Sequence, residues 1–419
     1  MAVNITGTRS RTLTNDQDGD NQADPGDIFT YEVIVTNSGT DDALDVELDA
    51  DENGYTIGNV QIGPIGVDND LNDIYGTVAG NTPLTFNAAD LTGNDLDPDD
   101  GTPNLTITHV NGQAFGNGAV VDIIDPANPP TVAGTLTNNG DGTFTFRPGA
   151  GFEGDVSFTY DTVDSDGIAS VAAEPATVNI TVGDAVWYVN SNVGSDATGD
   201  GTFENPFASL NPLTTGGSSD TLDDAGDTVF VYATGANEYN SGIVLESGQI
   251  LRGEGVAADY VVNGLTISSA QTDTQIEYTT FGVELNQNNT IIGIDLVGEA
   301  ATAVAIRDNG GTVGNLNISD VEVDGQGQII DIDNGGALNV AFQSLTSHAS
   351  SGVGGVIDLD GVTGTFSVSG FTTMDNASGT HNQVGIDIGG TAGTNLVSNF
   401  AGGTSLNMGP NGSAAGINL

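Results

Sequence analysis

The sequence predicts an all-β chain in which antiparallel sandwiches give way to a stacked parallel solenoid, and three observations predict it. Sixty-one glycines and thirteen prolines, with abundant Asn, Asp and Thr, punctuate short β-branched runs along all 419 residues. No long stretch keeps the apolar 3.6-residue period of a helix. An apolar-x-apolar triplet also recurs through the C-terminal third at a spacing that drifts rather than repeats.

Composition narrows the function classes. Hydrophobic residues make up 37%, enough to bury a core, and the chain is long enough for two or three domains of ordinary size. Acidic side chains number 57 against 5 basic ones, for a net charge of −52. A polyanion of this kind repels phosphate backbones and anionic lipid, so nucleic acid is excluded as a partner. The basic residues are all arginine, at Arg9, Arg11, Arg147, Arg252 and Arg307. Cysteine is absent, so stability has to come from β-packing or metal ions rather than disulfides. No run is apolar and long enough to span a bilayer, and direct membrane insertion is not expected. The opening Met1-Ala2-Val3-Asn4-Ile5-Thr6 lacks the sections of a signal peptide, which suggests a segment cut from a longer chain.

The first expected domain covers 1–66. It holds the alternating strand Ile28-Phe29-Thr30-Tyr31-Glu32-Val33-Ile34-Val35-Thr36, the turn Asn37-Ser38-Gly39-Thr40 and a second alternation, Leu44-Asp45-Val46-Glu47-Leu48. Such pairs build a sandwich. Asp24-Pro25-Gly26-Asp27 before that strand, with Thr36-Asn37-Ser38-Gly39-Thr40 after it, resembles the Ig-like repeat of bacterial surface proteins.

The second expected domain, 67–183, carries Gly80-Asn81-Thr82-Pro83-Leu84, Gly93-Asn94-Asp95-Leu96-Asp97-Pro98-Asp99 and Asn139-Gly140-Asp141-Gly142-Thr143-Phe144-Thr145-Phe146-Arg147-Pro148. Gly151-Phe152-Glu153-Gly154, Phe158-Thr159-Tyr160-Asp161 and Asp164-Ser165-Asp166-Gly167 follow in order. This order is similar to the bacterial cadherin-like tandem repeat, a second Ig-type sandwich.

The third expected domain, 184–419, opens with Val186-Trp187-Tyr188-Val189-Asn190 and reaches Gly226-Asp227-Thr228-Val229-Phe230-Val231. It resembles the entry segment of right-handed parallel β-helices of the pectate-lyase-like superfamily. Trp187 and Tyr188 are expected to plug the junction with the sandwich. Beyond it come Val283-Glu284-Leu285, Val304-Ala305-Ile306, Ile330-Asp331-Ile332, Ile357-Asp358-Leu359, Ile386-Asp387-Ile388 and Ile417-Asn418-Leu419, whose last residues lie 21, 26, 27, 29 and 31 apart. Each copy would send its outer two residues into a shared core and its middle residue outward. The sixth copy falls on the last residues, which suggests a β-helix that continues in a longer protein. The predicted architecture is two Ig-like β-sandwiches in tandem followed by a right-handed parallel β-helix.

Metal binding is the chemistry most visible in the sequence. Counting Asp16 as position one, carboxylates fall at 1, 3, 5, 9 and 12 (Asp16, Asp18, Asp20, Asp24 and Asp27), with Gln22 at position 7. This is the oxygen spacing of an EF-hand-type calcium loop. Glycine at position four and Asp at position twelve depart from it, so a calcium loop on a sandwich edge is one reading and a solvated glycine-rich turn the other. The cadherin-like resemblance implies a second set of Ca2+ ligands, Asn94, Asp95, Asp97, Asp164 and Asp166; turn residues bonding their own backbone explain these strings as well.

Catalysis is not expected. A polysaccharide lyase needs a base and charge neutralisers, and the third domain offers only Arg252 and Arg307. A hydrolase needs paired carboxylates, which outward Asp331, Asp333, Asp358, Asp360 and Asp387 could supply, although a solvated ladder explains them more simply. The resemblances together imply a calcium-stabilised structural or adhesive segment of a large secreted bacterial surface protein, extracellular, with calcium ions and cell-surface glycans or further copies of itself as partners. A self-assembling filament or surface-layer subunit is the alternative, and a polysaccharide-binding or -cleaving β-helix the second.

Overall fold

The computed structural model describes residues 5–15, 28–37, 60–61, 77–93, 105–163, 176–214, 222–233, 239–270, 274–350, 355–375, 384–389, 396–402, 404–407 and 417–418. Two compact units are present, Met1–Thr56 and Ile57–Leu419. In the first, Ile5–Asn15 pairs antiparallel with Ile28–Asn37 from Ile5↔Asn37 to Leu13↔Phe29, with a bulge between Leu13 and Asn15. The alternating strand read from Ile28 onward is therefore present, while Leu44–Leu48 lies outside the described residues.

In the second unit, a sandwich is followed by parallel ladders. One sheet orders Leu84–Asn87, Thr143–Pro148, Val132–Asn138 and Val120–Ile124, all antiparallel. The facing sheet pairs Thr106–Val110 with Gly154–Val163 and Gly154–Val163 with Ala176–Val189. Strict alternation of burial along Gly154–Val163 sends Val156, Phe158 and Tyr160 into a core that also holds Phe86, Phe144, Phe146 and Val178. Phe115 and Phe144 meet edge to face at 5.0 Å, the geometry the aromatic quadrupole favours.

The strand Ala176–Val189 does not stop at the sandwich. Residues up to Val182 pair antiparallel with Gly154–Val163, and Val186–Val189 pair in parallel with Thr228–Val231. The expected boundary at 183–184 thus falls inside a continuous strand.

From there the chain visits three parallel ladders in the same order, repeatedly. The first runs through Thr228–Val231, Ile250–Gly253, Thr290–Ile292, residues 315–319, residues 336–342, Val362–Val368 and Leu396–Phe400. The second runs through Thr274–Tyr278, Ile294–Gly298, residues 322–325, residues 345–347, Thr372–Asp375 and Thr404–Asn407. The third runs through Ile243–Val244, Phe281–Leu285, Val304–Asp308, Gln328–Ile332, Gly355–Asp360, Val384–Gly389 and Ile417–Asn418. One buried cluster from Ala185 to Ile386 joins them, with Leu251, Ile276, Val283, Ile330, Ile357 and Phe366 all at most 1% exposed. No turn of chain could bury its apolar side alone, so stacking is what stabilises each one. Phe342, Phe366 and Phe400 continue the stack, with ring centroids 5.6 and 6.0 Å apart.

The third ladder realises the apolar-x-apolar repeat with one shift. Val283 pairs with Ile306, Ile306 with Ile330, Ile330 with Ile357, Ile357 with Ile386 and Ile386 with Ile417. The copy equivalent to Val283-Glu284-Leu285 is therefore Ile306-Arg307-Asp308, not Val304-Ala305-Ile306. Val304 and Ala305 are both buried. A slip of two residues preserves the inside-outside parity of a strand, so alternation alone could not reveal it.

A hairpin, Tyr260–Val262 with Leu265–Ile267, is inserted between turns of the ladders. Its two-residue turn is Asn263-Gly264 with φ of 50° and 76°, a conformation that Asn and Gly tolerate best.

Candidate functional site

None of the metal-ligand candidates falls on a described residue: Asp16, Asp18, Asp20, Gln22, Asp24 and Asp27, then Asn94, Asp95 and Asp97, then Asp164 and Asp166 all lie outside them. Their flanks are described. The first group links the antiparallel partners Ile5–Asn15 and Ile28–Asn37. The second leaves the helix Ala88–Thr92 and enters Thr106–Val110; the third leaves Gly154–Val163 and enters Ala176–Val189. Val163 pairs with Thr106, and Tyr160 with Ala176, so the strand ends that flank these segments, Val163, Thr106 and Ala176, lie together at one end of that sheet. The Tyr160 hydroxyl donates to the Leu91 carbonyl at 2.8 Å and holds the helix at that same end. Among the described residues, no group of three or more His, Asp or Glu side chains could hold a metal ion.

At the opposite end, the sandwich meets the ladders through polar and aromatic contacts. Trp187 and Tyr188 are both buried, at 1% and 0% exposure, as a junction plug should be. Trp187 stacks on Phe207 at 6.2 Å, and its indole Nε1 donates to Asp227 Oδ2 at 2.8 Å. Gly201, at φ +78°, lies against the same ring, and a Cβ there would sit 2.5 Å from it. The Tyr188 hydroxyl bonds Thr82 Oγ1 at 2.8 Å, and burial pushes that hydroxyl well above the usual phenol range. Asn263 at the hairpin tip accepts from the Ala79 amide at 2.8 Å and donates to the Ala79 and Thr82 carbonyls at 3.0 and 2.9 Å.

Two carboxyl groups meet at this junction. The Ala185 amide donates to Asp227 Oδ1 and to Glu153 Oε1. Burial first, then Asp227, pushes the Glu153 carboxyl up to about 7, with Asp184 adding to the effect.

On the outward side of the third ladder the register stacks Glu284, Arg307, Asp331, Asp358 and Asp387 in one column. Arg307 donates from Nε to Glu284 Oε2 at 2.8 Å and lies 4.3 Å over the Phe281 ring. Partial burial, then Asp333, Asp358 and Asp308, push Asp331 up to about 6 against the opposing pull of Arg307. Asp358 is raised as well, by burial and then by Asp387 and Asp360. Asp333 and Asp360 sit at the strand ends, where the Asp308 carboxylate accepts from the Asp333 and Asn334 amides at 2.8 and 3.0 Å. Of the outward Asp residues expected to form a row, Asp331, Asp358 and Asp387 stack in one column while Asp333 and Asp360 lie beside it, and Arg307 separates the three from Glu284.

These geometries stand beside a family match. Residues 124–182 match the family model of the cadherin-like domain. The matched span runs from the end of Val120–Ile124 to Val182, the last residue of the sandwich pairing in the shared strand. It supports a cadherin-like repeat in this part of the chain and, with it, an adhesive or structural extracellular role. No curated protein and no solved structure matches the chain. Among the described residues no helix is long and apolar enough to cross a membrane.

Proposed function

We propose that this chain is a non-catalytic, calcium-stabilised structural and adhesive segment of a large secreted bacterial surface protein. Its architecture is read as an Ig-like repeat, a cadherin-like sandwich and a right-handed parallel β-helix, with domains at 1–66, 67–183 and 184–419. The observation that carries the proposal is the cadherin-like match at 124–182 on a sandwich in which Val163 and Thr106, the strand ends flanking the two acid-bearing segments, pair with each other.

Bound there, calcium would neutralise carboxylates that otherwise repel by roughly 4 kcal/mol per pair at about 4 Å and an effective dielectric near 20. Asn94, Asp95, Asp97, Asp164 and Asp166 would hold it in the cadherin-like part, and Asp16, Asp18, Asp20, Gln22, Asp24 and Asp27 in the Ig-like part. The ladder region supports a scaffold over an enzyme because its two arginines are already engaged, Arg252 over Tyr260 and Arg307 by Glu284. Calorimetric titration with Ca2+ tests the proposal. Asp97→Asn together with Asp166→Asn should remove one class of site and weaken binding there at least tenfold; unchanged affinity and stoichiometry would refute the assignment.

A further inference from the structure

The three ladders differ sharply in what they present to solvent. The column of the third is Glu284, Arg307, Asp331, Asp358 and Asp387, and the second carries half-buried Glu277, Asp295 and Glu322 with exposed Asp324. The first carries no charge over five successive strands. Its outward registers run Thr290↔Asn317↔Asn339↔Thr365↔Val397 and Ile292↔Ser319↔Ala341↔Ser367↔Asn399. Closer to the sandwich, the equivalent positions Phe230 and Arg252 lie against Tyr260 of the inserted hairpin, and Tyr188 packs on Phe230. Beyond Ile292 the face is open: Ser319, Asn339, Ala341, Thr365 and Asn399 are exposed.

We propose that this uncharged face is a homotypic interaction surface, on which a second copy of the chain docks by the same face. Two physical reasons select a second copy. With a net charge of −52, two copies approaching through either acidic ladder would set carboxylates against each other, whereas this face brings none into contact. Carboxylates only accept hydrogen bonds, so an acidic face cannot complement itself. Asn, Ser and Thr donate and accept, so their face can. Asn339 already shows the pairing within one copy, its Nδ2 donating to Asn317 Oδ1 at 3.0 Å.

Five strands at about 4.8 Å spacing and about five residues of width give roughly 400 Å² per copy. Two such faces bury less than the roughly 1,200 Å² of a stable complex, so one contact is weak and gains strength where many copies stand side by side. This deepens the adhesive role proposed above and rests on it only for the partner's location. The calcium titration can fail while this stands, and the reverse.

Sedimentation velocity of the full chain, in calcium and physiological salt, over micromolar to high-micromolar concentration, is the test. The sedimentation coefficient should climb with concentration. Ala341→Asp with Thr365→Asp, both on exposed positions, should weaken association at least tenfold while leaving the β-sheet circular dichroism intact, and Asn339→Asp should act in the same direction. Glu322→Gln on the second ladder should leave association as it is. Added salt should hold or strengthen the contact, because it screens only the residual repulsion. A chain that stays monomeric throughout would overturn the proposal, as would an Asp variant that associates like the parent. So would a monomeric chain retained on a neutral polysaccharide through these residues.

Discussion

Glu153 and Asp227 converge on one backbone donor, the Ala185 amide, which lies 3.2 Å from Glu153 Oε1 and 2.8 Å from Asp227 Oδ1. Ala185 belongs to the strand shared by sandwich and ladders, and Asp227 also accepts from the indole of Trp187. With its carboxyl pushed up to about 7, Glu153 changes charge near neutrality next to Asp227, the partner of the single tryptophan of the chain. Trp187 emission should therefore titrate with a midpoint near neutral pH, and Glu153→Gln should flatten the curve. A flat curve in the parent chain would remove the coupling.

Thermal stability should fall as pH rises from acid toward neutral in the absence of divalent ions. Glu153 and Asp331 have folded-state values of about 7 and about 6, above their ordinary 4.5 and 3.8, and Asp358 is raised too. A carboxyl raised in the fold binds more protons folded than unfolded. Its contribution is thus present below its ordinary value and lost as pH climbs through the folded one. Asp331→Asn should stabilise the chain at neutral pH by roughly 1 kcal/mol, after allowing for a half-exposed group. Melting scans at about pH 4, 5.5 and 7.5 read the slope directly.

Asn263→Ala should loosen the clasp between hairpin and sandwich. It removes three hydrogen bonds, worth about 1 kcal/mol each, and puts a Cβ residue without side-chain compensation at φ 50°. The expected loss is about 2 to 3 kcal/mol. Asn263→Gly, which relieves the backbone but not the bonds, should recover about 1 kcal/mol of it. Proteolysis within 260–267 should become fast in both variants while the ladders stay resistant.

Ile357→Ala deletes a fully buried side chain from the third ladder and should cost about 2 to 5 kcal/mol. Val397→Ala, on the exposed side of Leu396–Phe400, should change stability by less than about 0.5 kcal/mol. Equal effects of the two would contradict the inside-outside assignment of the ladders.

Strand content and the stacked repeat were legible because both depend on local alternation. Trp187 and Tyr188 could be read as a plug because two large aromatics opening a β-run have to be buried somewhere. The position of Arg307 in the acidic column could not be read, since its register depends on pairing between turns of chain rather than on the chain itself. The same reason hid the charge-free stretch of the first ladder: Asn317, Asn339 and Thr365 carry no signal singly and gain meaning only once stacked. The clasp did leave a sequence signal, an Asn263-Gly264 pair between Tyr260-Val261-Val262 and Leu265-Thr266-Ile267, which marks a hairpin. Its target on Ala79 and Thr82, some 180 residues earlier, left none.

The most direct test of calcium as the stabilising ion is the melting temperature of the whole chain in millimolar calcium and after chelation. Sites filled in the folded state and absent from the unfolded one should raise it by several degrees, by mass action, with magnesium a poor substitute. Identical melting curves with calcium and with chelator would contradict a calcium-stabilised segment.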